Sequence, residues 1–185
     1  AEDDPTWWDH RAGYLTTFVR GLRQMLDEVG AARGRRLELA VSVPPLDNGA
    51  TWCVDGAAWA REGIVDNLIV HAGGILPPAA VTAYREAIAD SPTSLIVDFY
   101  PRRMPARARL ERALEYYEAG ADGFCFWDSE GRVVRASEFA TARFLGHRDD
   151  LGRWMQEMGE PFRIVPLRTL QGYSMDRRYW TLTSG

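Results

Sequence analysis

Apolar positions at three- and four-residue steps run from Tyr14 to Val29, at Leu15, Phe18, Val19, Leu22, Met25, Leu26 and Val29, which predicts an amphipathic helix that Gly30 stops. After the polar stretch Arg33-Gly34-Arg35-Arg36, the alternation in Leu37–Val43 predicts a strand closed by Pro44-Pro45. Asp55 is placed to cap a short helix over Gly56–Glu62, which Gly63 ends before a second apolar strand, Ile64–His71. Pro77-Pro78 opens a helix through Tyr84 to Ala89, and Ser94–Tyr100 reads as a third strand ahead of Pro101. A helix over Ala106–Ala119 ends at Gly120, before a fourth strand at Gly123–Trp127. Further helices are expected over Ser137–Leu145 and Asp149–Met158, and an edge strand at Phe162–Leu167 leads into a Tyr- and Arg-rich tail.

Helices thus alternate with nearly continuous apolar strands, the signature of a parallel sheet covered by helices. No Gly-x-Gly-x-x-Gly or Walker-type loop follows a strand, so a nucleotide-binding doubly wound sheet lacks its phosphate cradle. Four β/α units are half of what a (β/α)8 barrel needs. The expected fold is therefore α/β, with parallel β/α repeats forming the C-terminal half of a TIM-like barrel over residues 1–160, followed by a strand and tail over residues 161–185.

The 185 residues are 46% hydrophobic and 26% charged, which excludes a disordered or collagen-like chain. A formal charge of −4 without a basic stripe argues against nucleic acid as a partner, and no apolar run suits a membrane span. Cys53 and Cys125 stand in no ligand or redox spacing and read as free thiols. His10, His71 and His147 are too scattered for a metal site, so neither metal nor cofactor is expected. All the basic residues are arginines, from which no function follows.

In a barrel, chemistry gathers at the carboxyl ends of the strands, while residues at strand starts stabilise the opposite face. Asp66 and Asp122 open their strands and are expected to hold loop amides. Asp98, Tyr100, Arg102, His71, Trp127 and Asp128 lie at or just past strand ends and are the site candidates. Alternation sets Asp98 on one face with Ile96 and Tyr100, and an acid inside an apolar strand needs a reason. It is either one of two catalytic carboxylates or a buried acid satisfied by Arg102, Arg103 or a backbone amide. Asp128 is the candidate second carboxylate, or else the first residue of the turn Asp128-Ser129-Glu130-Gly131. His71 precedes Ala72-Gly73-Gly74, a loop able to approach a ligand, and an imidazole suits proton transfer or ligand hydrogen bonding. Trp127, Tyr100 and Trp52 are the aromatics placed to stack on a sugar ring. Ser42 lacks a nucleophile elbow, which disfavours a triad hydrolase.

Residues 55–66, with Asp55, Trp59, Gly63, Val65 and Asp66 in an Asp-x-x-x-Trp-x-x-x-Gly-x-(Val/Ile)-Asp pattern, resemble the family-10-like group of TIM-barrel glycosyl hydrolases. Gly120-Ala121-Asp122-Gly123-Phe124-Cys125-Phe126-Trp127-Asp128 is similar to that group's last strand, and Leu145–Leu151 to the helix after it. The resemblance spans Tyr14 to Leu151. It implies that the four strands are the fifth to eighth of a barrel, that the chain is a piece of a longer enzyme, and that an acid on the fourth strand lies before Ala1. It implies glycosidic bond hydrolysis by a carboxylate pair, Asp98 and Asp128, with His71, Tyr100, Arg102, Trp127 and Trp52 binding a carbohydrate. The competing expectation is a non-catalytic glycan-binding or assembly module, in which a homodimer or a missing N-terminal half-barrel covers the open sheet.

Overall fold

The computed structural model describes residues 4–99, 106–126 and 144–157. Helix α1 (Pro5–Ala32) leads into strand β1 (Ala40–Val43), a 3₁₀ turn (Leu46–Asn48) and the short helices α2 (Gly49–Trp52) and α3 (Gly56–Arg61). Strand β2 (Asn67–Val70), helix α4 (Pro78–Ala87), strand β3 (Ser94–Asp98), helix α5 (Ala106–Glu118), strand β4 (Gly123–Cys125) and helix α6 (Arg148–Glu157) follow. The four strands pair in parallel in the sequential order β1-β2-β3-β4. The α/β class and the parallel β/α order expected from the sequence are therefore present.

One face of the sheet carries the core. Val43, Leu68, Val70, Leu95, Val97 and Phe99 alternate onto it and are essentially fully buried. They join Trp59 and Ala60 of α3, Val81 and Tyr84 of α4, and Leu110, Ala113, Tyr116 and Tyr117 of α5. On the other face Ser42 is exposed, and Asn67, Ile69, Ser94 and Ile96 are half-buried. Burying the tyrosines raises the pKa of Tyr84, Tyr116 and Tyr117. Their hydroxyls are satisfied by the carbonyls of Pro44, Leu76 and Leu145, which ties α4 and α5 to the segments beside them at three points.

Several boundaries differ from expectation. α1 begins nine residues earlier, at Pro5, because Asp4 caps it by accepting from the Thr6 amide and Pro5 occupies the first turn. Gly30 does not stop it. The helix runs to Ala32, and Gly30 is small for a different reason: a Cβ there would lie 2.6 Å from the Arg35 carbonyl oxygen. β1 and β2 are shorter than the apolar runs that contain them, since Leu37–Leu39 and Ile64–Asp66 feed the loops beneath the sheet. Asp55 does cap α3, accepting from the Ala58 amide, and Gly63 follows the helix at φ +69°. Helix Ser137–Leu145 lies mostly, and strand Phe162–Leu167 wholly, outside the described residues.

The strand starts are held by a device that occurs twice. The Asp66 amide donates to the Leu39 carbonyl while its carboxylate accepts from the Leu39 amide. The Asp122 amide donates to the Leu95 carbonyl, and its carboxylate accepts from the Leu95 amide. Each acid also meets an arginine from the helix before the strand it clasps, Arg23 of α1 for Asp66 and Arg85 of α4 for Asp122. Burial alone would raise the Asp66 carboxyl, but the Leu39 amide and the guanidiniums of Arg36 and Arg23 outweigh it and hold the pKa below the usual carboxylate value. These two acids have the structural roles their positions imply.

Candidate functional site

The carboxyl ends of β2 and β3 bring two of the expected site residues into contact. Val70 is in register with Val97, so one step further His71 lies across from Asp98. His71 Nδ1 is 2.6 Å from Asp98 Oδ2. A carboxylate only accepts, so with Asp98 ionised it is the Nδ1–H tautomer of His71 that makes this bond. The backbone is fixed on both sides: the His71 amide donates to the Val43 carbonyl, and the Phe99 amide to the Cys125 carbonyl, each at 2.8 Å.

Alternation turns both side chains onto the face of the sheet opposite the helices. They are presented unequally. The Asp98 side chain is 2% exposed and that of His71 30%, so a ligand arriving from this side meets the imidazole before the carboxylate. Burying an acid is expensive unless it is paired, and His71 is one partner of Asp98. Arg102 and Arg103, the partners weighed from the sequence, lie outside the described residues, as do Tyr100, Trp127 and Asp128. Trp52 is described: it ends α2, in the connection that follows β1, and is 68% exposed. The loop beyond His71 turns at Gly73, at φ +66°, and carries the exposed Ile75.

Cys125 completes a row. It is in register with Asp98, so His71, Asp98 and Cys125 stand side by side on three neighbouring strands. Both cysteines are free thiols, as their spacing implies. The order sets Asp98, not His71, in register beside Cys125. Among the described residues, no group of three or more His, Cys, Asp or Glu side chains could hold a metal ion. No helix among them is long and apolar enough to cross a membrane.

Sequence reasoning named His71 and Asp98 separately and missed that they are one unit. The signal was present: Leu68-Ile69-Val70-His71 and Leu95-Ile96-Val97-Asp98 share three residues and differ in the fourth. Aligning the two runs puts histidine and aspartate at the same height on adjacent strands. Compared with protein-family models and with curated proteins, the chain matches none.

Proposed function

We propose that the chain is a glycoside hydrolase-like, carbohydrate-active domain with the architecture of the C-terminal half of a (β/α)8 barrel. The architectural part rests on the strand order. Right-handed crossovers between sequentially ordered parallel strands put every helix on one face, as in a barrel wall, whereas a doubly wound sheet reverses its order. The functional part rests on the His71–Asp98 pair at adjacent strand ends, on the face a barrel would enclose. Exposed Trp52 on the neighbouring connection offers a flat apolar surface of the kind that stacks on sugar C–H faces.

In this reading, glycosidic bond cleavage uses a carboxylate pair, one protonating the leaving oxygen and the other attacking the anomeric carbon or activating water. Asp98 and Asp128 are the proposed pair, with Tyr100, Arg102, Trp127 and Trp52 binding substrate. His71 holds the Asp98 carboxylate in one orientation through its Nδ1–H. The burial of Asp98 favours a second reading, in which the imidazole contacts glycan hydroxyls, Asp98 only positions it, and the domain binds without turnover.

Incubating the chain with a panel of neutral and acidic oligosaccharides, with product chromatography and calorimetric binding in parallel, tests both. If Asp98 reacts, Asp98→Asn lowers turnover by about a hundredfold or more while His71→Asn retains part of it. Saturable binding without product, weakened alike by His71→Ala, Asp98→Asn and Trp52→Ala, selects the binding module. Neither binding nor product from any glycan removes the carbohydrate reading.

A further inference from the structure

Helix α1 is 28 residues long and has more apolar surface than the fold uses. Val19, Arg23 and Gly30 are buried toward the sheet. On the adjoining flank Thr16 accepts from the Trp59 indole of α3, and Arg20 binds Glu62, the residue that follows α3. At about 100° per residue, these contacts span one side of the helix, and Trp7, Tyr14, Phe18, Met25 and Val29 fall within about 60° of arc on the flank opposite α3. All five are exposed, Tyr14 at 69% and Phe18 at 61%.

This ridge is straight. Trp7, Phe18 and Val29 are eleven residues apart, as are Tyr14 and Met25, and an eleven-residue step closes almost evenly on three turns. It runs roughly 33 Å along the helix at 1.5 Å per residue. Its N-terminal half is an aromatic ladder: His10 stacks on Trp7 at 5.9 Å between ring centroids and meets Tyr14 edge-on at 4.9 Å. Scattered surface apolar residues need no explanation, but a contiguous stripe of five large ones marks an interface.

We propose that this ridge is a self-association surface on which α1 packs antiparallel against α1 of a second copy of the chain, about a two-fold axis at Phe18. Size and charge both select that arrangement. An antiparallel pair centred on Phe18 sets Phe18 on Phe18 at the axis and, on either side of it, Trp7 against Val29 and Tyr14 against Leu22, whereas a parallel pair sets Trp7 on Trp7 and Arg11 on Arg11. Arg11 then faces Met25 within one turn of Glu28 on the other copy, which sets one cation beside one anion twice across the axis. The same patch serves both copies, as a closed two-fold dimer requires.

Sedimentation equilibrium of the chain over a wide concentration range tests this, with circular dichroism to verify that each variant is folded. The expected result is a monomer–dimer equilibrium. Phe18→Glu, which puts two like charges on the axis, should raise the dissociation constant about tenfold or more. Arg11→Glu should weaken the dimer, and Arg11→Glu combined with Glu28→Arg should restore it. A wild-type chain that stays monomeric throughout would overturn the proposal, leaving the ridge to another occupant such as a neighbouring β/α unit. A dimer indifferent to Phe18→Glu would overturn it by placing the contact elsewhere, and failure of the charge swap would overturn the antiparallel register.

Discussion

Replacing Asp66 with asparagine removes a carboxylate that accepts from the Leu39 amide and pairs with Arg23 and Arg36. Breaking such a partly buried, charge-assisted set should cost about 2 to 3 kcal/mol in denaturant unfolding. The pH dependence has a defined sign. Because the folded pKa lies below the unfolded value, the contribution is complete above about pH 4 and is lost as pH falls through the folded value. The stability gap between wild type and Asp66→Asn should therefore narrow as pH falls below about 4, by comparison of urea curves. Thiol labelling gives a second residue-scale test: half-buried Cys125 should react with an aromatic disulfide reagent well before Cys53, which is 4% exposed. Asp66 and Asp122 were readable in the sequence because position relative to a strand start decides their role. The partner of Asp98 was not, because it comes from another strand and depends on register.

At the scale of elements, the helix signals that worked were local ones. Asp55, Pro78 and Gly63 act within a turn of themselves, so their effect follows from the sequence alone. Gly30 misled because its requirement is tertiary: the Arg35 carbonyl crosses where a side chain would be. Alanine there gains helix propensity, yet the clash is with backbone that cannot swing aside. Gly30→Ala should thus lower the melting temperature, by about 1 to 3 kcal/mol of stability. Asp55→Ala should cost about 1 kcal/mol through loss of the α3 cap, measurable in the same unfolding assay. The start of α1 was missed because Asp9-His10-Arg11 and Gly13 interrupt the apolar stripe, although Trp7 lies in line with Phe18 and Val29.

For the whole molecule, alternating helices and strands were enough to read a parallel sheet, because only a crossover joins parallel neighbours. The one-sided core was not legible. Ile69 and Ile96 are as apolar as the residues that alternate with them, and only the fold shows which set the helices cover. Central strands should be the most protected: amides of β2 and β3, paired on both sides, should exchange with deuterium more slowly than those of β1.

The paired aspartate clasps have a consequence for how the chain can be cut. Each joins an arginine from one helix, the strand after it and the strand after that, so α1-β1-α3-β2 and α4-β3-α5-β4 are two versions of one plan. No clasp crosses the Gly73-Gly74 loop between them. A nick at that loop leaves both clasps whole, and the two pieces should find each other again when mixed. Cleavage at Gly49-Ala50, between β1 and β2, divides the first clasp and should leave fragments that do not reassemble.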